Sequence, residues 1–281
     1  MHSCRSKNFT KLLRVKFSII SKNMTENNNQ TSTWKKVQSS ILMAAAILIS
    51  IGQWGDTKDV LKSAYSAFIE NFTHKVQYKQ IDKVNIGNSI AYIKTFLGEP
   101  NAVKRSRIDI DVEFYYYIRK KFIFTVITSD KRINGYSVVS RISDFSPVIP
   151  FSGPLGESTI LEKNSSEFEY SFDNRNLTYY LESQNLGKEK MFISLSKGFI
   201  GYAAVPGSVK VPEKYLATIK TSINTMDSLA TYPDNLNELK KEVESLRAKI
   251  KPNYYAVSEL ESKIVAESLL TRFEYQTLTK S

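Results

Sequence analysis

The stretch from Val84 to Pro100, VNIGNSIAYIKTFLGEP, has the pattern of a strand, a turn and a helix within 17 residues. Val84 and Ile86 alternate with a polar residue, as in a short strand, and Gly87 supplies a turn. The apolar residues that follow recur at helical spacing: Ile90, Ile93, Phe96 and Leu97. This pattern predicts a short strand followed by an amphipathic helix.

Both ends of this helix carry residues that terminate helices. Asn88 or Ser89 can cap the first turn, because a short polar side chain accepts a hydrogen bond from an exposed N–H group. Gly98 can adopt the left-handed conformation that ends a helix, and Pro100 prevents its continuation. The sequence therefore predicts a helix that ends at Leu97.

Three runs rich in Tyr, Phe, Val and Ile follow the helix, around Val112–Arg119, Phe122–Thr128 and Ile133–Ile142. Such residues favour strands, and the intervening SDKRINGY stretch has the composition of a turn. Residues 80–146 are therefore predicted to form a helix followed by an antiparallel meander.

Related segments return farther along the chain. FLGEP at 96–100 is echoed by PLGES at 154–158, and EFYYYI at 113–118 by EFEYSF at 167–172. Repeated patterns at a similar spacing indicate a degenerate duplication, with chance similarity between strands as the alternative. A second, β-rich lobe with a shortened opening helix is expected at residues 147–206.

Residues 207–281 show helical spacing in three segments and are expected to form a hairpin or bundle. The middle segment carries a narrow apolar stripe made of Leu236, Leu239, Val243, Leu246 and Ile250. A seam with a 3–4 period is typical of helices paired along one edge. Either the stripe folds back within the chain, or it joins two copies of the protein.

The start of the chain has the pattern of a membrane anchor. Residues 1–36 contain eight Lys and Arg against one acidic residue, and Val37–Gly55 contains no charge over 19 residues. A helix of that length is nearly as long as a bilayer core is thick, and Trp prefers the membrane interface. The interface residues are expected to be Trp34, Lys35, Lys36 and Trp54.

This anchor would leave a basic cytoplasmic leader at 1–36, a transmembrane helix at 37–55 and a juxtamembrane helix at 56–79, with the rest of the chain in the periplasm. A cleaved signal peptide and a buried helix of a soluble domain are the alternatives. Met24 is a second candidate for the start of translation.

Taken together, these patterns predict an α+β fold with an N-terminal transmembrane helix. Two degenerate lobes follow, each a helix with an antiparallel meander, and a C-terminal helical segment ends the chain.

The helix motif resembles that of a known family. Its matching residues are Ile86, Gly87, Ser89, Leu97, Gly98 and Pro100. They resemble the small lipoprotein of the outer-membrane β-barrel assembly machinery, the SmpA/OmlA family, whose architecture recurs in the β-lactamase-inhibitor-like fold. No cysteine follows the apolar run, which excludes lipid attachment there. The chain also resembles a group of enterobacterial proteins with a single membrane segment. The resemblance implies a protein that binds other molecules and does not catalyse a reaction.

The residues that carry chemistry are sparse. Cys4 is the single cysteine and His2 and His74 are the two histidines, so no disulfide, zinc site or cofactor is expected. No GxSxG, P-loop or GxGxxG motif is present. Asp109, Asp111 and Glu113 could share one face of a strand. We expect this face to be a solvated edge that opposes strand pairing, with a cation site as the alternative.

Nucleic acid is not an expected partner, because +7 of the net charge of +11 belongs to residues 1–36. The expected function is a membrane-anchored extracytoplasmic module that binds a protein or envelope component at the inner membrane. A self-assembling, homo-oligomeric envelope protein and a membrane-anchored hydrolase are the alternatives. The candidate interaction residues are Tyr115, Tyr116, Tyr117, Leu239 and Leu246.

Overall fold

The structure is a computed structural model that describes residues 74–163, 167–202 and 213–279, together with Met43. Residues 72–281 form one compact unit. The leader at 1–36, the segment at 37–55 except Met43, and most of the juxtamembrane helix lie outside the described residues.

The described helices are α1 (Lys75–Asp82), α2 (Ile90–Leu97), α3 (Ile160–Lys163), α4 (Glu213–Ala230), α5 (Leu236–Lys249), α6 (Ser262–Glu267) and α7 (Arg272–Thr279). The described strands are β1 (Ala102–Arg105), β2 (Val112–Ile118), β3 (Phe122–Ser129), β4 (Arg132–Ser140), β5 (Val148–Ile149), β6 (Gly153–Pro154), β7 (Glu169–Asp173), β8 (Thr178–Asn185), β9 (Ser194–Gly201) and β10 (Tyr254–Ser258). Short 3-10 turns lie at Lys188–Lys190 and Pro233–Asn235.

Eight of these strands form one antiparallel sheet in the order β1-β2-β3-β4-β10-β9-β8-β7, and β5 and β6 form a separate small hairpin. The sheet consists of two four-stranded meanders joined where β4 pairs with β10. The α4–α5 helices are inserted between β9 and β10, so the chain leaves the sheet and returns to its centre.

The helix predicted from the opening motif is confirmed as α2. The strand predicted at Val84 and Ile86 is wrong, because Val84 belongs to no strand and Ile86 lies in the turn before the helix. The Tyr92 N–H donates to the Ser89 side chain at 3.3 Å, and the Gly98 N–H donates to the Lys94 carbonyl at 3.0 Å. Gly98 has a φ of 78°, which residues with a Cβ rarely adopt. The same freedom is used at Gly87, whose φ is 92°.

Both faces of the sheet are covered by helices. On one face, α1 and α2 pack on the first meander through residues such as Ile93 and Phe124, while α4 and α5 pack on the second through residues such as Ile219 and Phe199. On the other face lie α6 and α7, which contribute Tyr275. The central strands are therefore buried on both sides, whereas β1 and β7 at the edges are partly exposed.

Buried tyrosines anchor α6 and α7 to the sheet. The Tyr116 hydroxyl donates to the Ser268 carbonyl at 2.9 Å, and the Tyr202 hydroxyl donates to the Leu270 carbonyl at 3.1 Å. The rings of Tyr202 and Tyr275 stack with centroids 4.3 Å apart. Burial raises the pKa of Tyr116 and of Tyr202 well above the usual range, so both hydroxyls keep the protons that they donate.

The predicted fold class is wrong in its division of the chain. Residues 80–146 and 147–206 do not form two separate lobes, because their strands belong to one sheet. The C-terminal segment is not wholly helical, since Tyr254–Ser258 forms the central strand β10. All five residues of β10 are buried, so this strand lacks the alternation that marks a half-exposed strand in a sequence.

The predicted N-terminal transmembrane helix also has to be corrected. Among the residues that the structure describes, no helix has both the length and the apolar character needed to cross a membrane. The segment predicted to span the membrane, 37–55, lies outside the described residues except for Met43. The single-pass membrane assignment is therefore not supported.

Gly198 provides a test of the sheet. A Cβ at this position would lie 2.0 Å from the Tyr180 carbonyl oxygen on the neighbouring strand. We expect Gly198→Ala to lower the free energy of unfolding by at least about 3 kcal/mol, because the strands must separate to accept it. Gly98→Ala, where no heavy atom would lie within 4 Å, should cost about 1 kcal/mol through its positive φ. Chemical denaturation measures both values, and equal losses would contradict the packing.

Candidate functional site

Three large apolar side chains protrude from two neighbouring loops. Phe151 lies between β5 and β6, and Met191 and Phe192 lie between β8 and β9, with exposed fractions of 61%, 77% and 63%. The loops meet where the Lys190 ammonium lies 5.0 Å from the centroid of the Phe151 ring. We call Phe151, Met191 and Phe192 the apolar tip.

All three residues of the apolar tip have left-handed backbone conformations, with φ values of 64°, 55° and 56°. For residues with a Cβ this conformation costs roughly 1 to 2 kcal/mol each. Exposed Met and Phe side chains gain nothing from burial in return. Backbone strain of this kind clusters at functional sites in proteins.

The loop that carries Met191 and Phe192 is held by its own backbone. The Phe192 N–H donates to the Gly187 carbonyl at 2.9 Å, and the Gly187 N–H donates to the Asn185 side chain at 2.8 Å. Leu186 and Ile193, at the two ends of the loop, pack against the core. These contacts fix the loop and leave the two intervening apolar side chains directed outward.

A groove of about 750 Å³ lies beside the apolar tip, and Phe192 forms part of its wall. The other walls come from residues 167–169 before and in β7, the ends of β8 and β9, and residues 259–263 after β10. The groove therefore lies at one end of the second meander.

The groove wall is mainly acidic. Four carboxylates line it against one ammonium: Glu167, Glu169, Glu259 and Glu261, and Lys263. The Arg132 guanidinium donates to Glu259 at 2.7 and 3.1 Å, and these hydrogen bonds lower the pKa of Glu259. Ser262 donates to Glu169 at 2.8 Å, and Lys263 lies 2.6 Å from Glu261. The wall is thus rigid and charged.

A buried ion pair supports the wall from behind. Arg247 on α5 lies 2.8 Å from Glu182 on β8, and their side chains are 7% and 0% exposed. The Tyr180 hydroxyl donates to the same carboxylate at 2.7 Å. The Arg247 guanidinium also lies 4.1 Å from the ring of Phe168, which lines the groove. Burial and the nearby Glu182 carboxylate raise the pKa of Tyr180 well above its usual value.

Ser152 and Lys197 form the arrangement closest to a catalytic pair. The Lys197 ammonium donates to the Ser152 hydroxyl at 3.1 Å, beside a cavity of about 20 Å³ that can hold one water molecule. Lys197 also lies directly opposite Glu182 in the sheet, so a carboxylate and an ammonium occupy neighbouring positions there. The small cavity beside the pair has room for a water molecule and not for a larger substrate.

The acidic triad considered in the sequence is separated in the structure. Asp109 and Asp111 lie in the turn before β2, where Asp109 accepts a hydrogen bond from the Asp111 N–H at 3.1 Å. Glu113 lies in β2 and pairs with Arg105. Within the described ranges, no group of three or more His, Cys, Asp or Glu side chains is arranged to hold a metal ion.

The structure disperses the tyrosines proposed for interaction. Tyr116 and Tyr117 point to opposite faces of the sheet and are buried there. Tyr115 is half-buried and donates to Glu113 at 2.7 Å. Two of the three are therefore inaccessible to a partner.

The apolar stripe is also inaccessible except at its first residue, Leu236, which is 59% exposed. Leu239 and Leu246 are 6% and 0% exposed and pack with α4 in one core cluster. For these two residues, the alternative in which the stripe folds back within the chain is therefore confirmed. Of the motif residues, Gly87, Ser89, Leu97 and Gly98 shape α2, and Pro100 follows it. Trp34, Lys35, Lys36 and Trp54 lie outside the described residues.

Sequence reasoning did not identify the apolar tip. A usable signal was present, because Phe151 is flanked by Pro150 and Ser152-Gly153, and Met191-Phe192 follows the polar stretch Gly187–Lys190. Large apolar residues inside turn-like sequence are candidates for exposure.

Comparisons with known proteins give no assignment. No protein-family model matches the chain, and neither a curated protein nor a solved structure shows significant similarity to it. The resemblance to the SmpA/OmlA family therefore stays a prediction.

The strain at the apolar tip can be measured by comparing two substitutions at Met191. Both Met191→Gly and Met191→Ala remove the side chain, but only glycine relieves the left-handed backbone. We expect the glycine variant to be the more stable by about 1 kcal/mol in chemical denaturation. The matched pair Phe273→Gly and Phe273→Ala, at an exposed position of α7, should show the reverse order. An alanine variant at 191 as stable as the glycine variant would refute the strain.

The ion pair behind the groove predicts a second result. Arg247→Met leaves the Glu182 carboxylate without its guanidinium and should cost about 3 to 5 kcal/mol in free energy of unfolding. Adding Glu182→Gln and Lys197→Met removes the buried carboxylate and the ammonium opposite it, and should restore a substantial part of that loss. Urea denaturation measures the free energy of unfolding of both variants. If Arg247→Met alone were as stable as the wild type, the ion pair would not be desolvated.

Proposed function

We propose that the protein is a non-catalytic binding module for another protein, and that the apolar tip and the adjoining groove form its binding surface. The observation that carries the proposal is the apolar tip, where three large side chains are held exposed at a cost in backbone strain. Binding to a partner would bury them and offset that cost.

The groove supports the same proposal through its chemistry. It is open to solvent, and it combines aromatic and aliphatic walls at Phe168, Phe192 and Leu260 with carboxylates. Such a surface suits an extended segment of a partner protein that presents an apolar residue to the tip. The Ser152–Lys197 pair offers no comparable argument for a hydrolase, because its cavity accepts only one water molecule.

Selection of peptides from a random library on the purified full chain tests this function. We expect the recovered peptides to bind the wild type and to lose at least about 30-fold in affinity to a variant with Phe151, Met191 and Phe192 all replaced by Ser, since buried aromatic anchors contribute about 2 kcal/mol or more. Isothermal titration calorimetry measures the affinities.

A matched control tests whether the loss of peptide affinity is specific to the apolar tip. Replacing the exposed Phe273 and Tyr232 by Ser removes similar apolar surface elsewhere and should leave peptide affinity unchanged. Peptides that bind equally well to the tip variant, or that lose as much affinity to the control, would exclude the tip as the binding surface.

A further inference from the structure

The sheet ends in two edges of opposite charge. Along the described chain, no strand pairs with the outer side of β1 or of β7. β1 has the sequence AVKR and carries two cations, whereas β7 has the sequence EYSFD and carries two carboxylates. Unpaired edges present backbone N–H and C=O groups that can accept another strand.

The exposed side chains of the two edges are arranged on matching faces. The strand register places Val103 and Arg105 on the same face of the sheet as Tyr170 and Phe172. Lys104 lies on the opposite face, which it shares with Glu169 and Asp173 because side chains alternate along a strand.

The β7 edge has an aromatic ladder and contains neither of the residues that most strongly oppose edge pairing, Lys and Pro. The ring centroids of Phe168, Tyr170 and Phe172 follow one another at 6.3 and 6.2 Å, and Tyr170 is 40% exposed. On β1, Val103 is 52% exposed, and the Arg105 side chain is 64% exposed.

The direction of the strands permits the two edges to meet. Every pair of neighbours in the eight-stranded sheet is antiparallel, so β1 and β7 run in opposite directions. A second copy displaced by one sheet width would present its β1 antiparallel to β7, with the same faces aligned. The sheet can therefore continue from one copy into the next without a change of geometry.

We propose that β7 of one copy pairs with β1 of a second copy. In the register that keeps all of β1 within β7, Val103 faces Phe172 and Arg105 faces Tyr170, a cation–π pair. Lys104, whose ammonium lies 3.5 Å from Glu274 of its own chain, then faces Ser171 and lies diagonally between the carboxylates of Glu169 and Asp173.

Pairing of like edges fits less well. Two β7 strands aligned over their full length would place Glu169 of each copy opposite Asp173 of the other, and like charges in facing positions are destabilising. Two β1 strands would bring four cations together. The matched interface is therefore heterologous, and such interfaces produce rings or open chains of subunits. This assembly does not use the apolar tip, and its β7 edge shares Glu169 with one wall of the groove.

Two substitutions at Ser171 separate charge from strand propensity. Ser171→Lys places a cation opposite Lys104, whereas Ser171→Asp places a carboxylate there, and both residues are poor strand formers. With the purified full chain, we expect concentration-dependent association of the wild type in sedimentation velocity. Ser171→Asp should retain this association, and Ser171→Lys should weaken it at least about tenfold.

Charge exchange identifies the edge that β7 meets. Lys104→Glu should also fail to associate alone, and mixing it with Ser171→Lys should restore association, because each defective edge then finds an opposite charge. Circular dichroism and the melting temperature establish that both variants are folded. A wild type that stays monomeric at its solubility limit, equal association of the two Ser171 variants, or a mixture that does not associate would each overturn the proposal.

Discussion

The pairing of β10 with β4 on one side and β9 on the other is the interaction on which the rest of the structure depends. It joins two meanders, each of which would otherwise end in an open edge at this position. The strand arrives from a distant part of the sequence, after the α4–α5 hairpin, and all five of its residues are buried. The sheet closes only once the last quarter of the chain is in place.

The same closure builds the candidate site. Arg132 begins β4 in the first meander, and Glu259 directly follows β10, so their ion pair forms only when those strands are side by side. This contact positions the segment that forms one wall of the groove. The opposite wall, at Phe168, is braced by Arg247 from the inserted hairpin. The contacts that join the strands and helices to the sheet therefore also hold the walls of the groove in place.

The two proposed interaction surfaces differ in their physical origin. The apolar tip is a local feature, because the backbone of two loops holds large side chains away from the core. The two sheet edges are a property of the whole fold, since β1 and β7 lie at opposite ends of an eight-stranded order. A change in the loops should leave the edges intact, and a change at the edges should leave the loops intact.

What the sequence determined by itself was local. The residues from Ser89 to Gly98 define helix α2 and its caps through contacts within a few residues, and the runs that form β2, β3 and β4 were recognisable from strand propensity. The apolar stripe of α5 also predicted which side of this helix packs, because its residues repeat with helical period. The strand nature of Tyr254–Ser258, the single sheet and the groove were decided by tertiary structure alone. A strand buried on both faces has no alternating pattern, and its partners lie too far away in the chain for local spacing to reveal them. The exposure of Phe151, Met191 and Phe192 likewise depends on where folded loops point, which composition and periodicity do not encode.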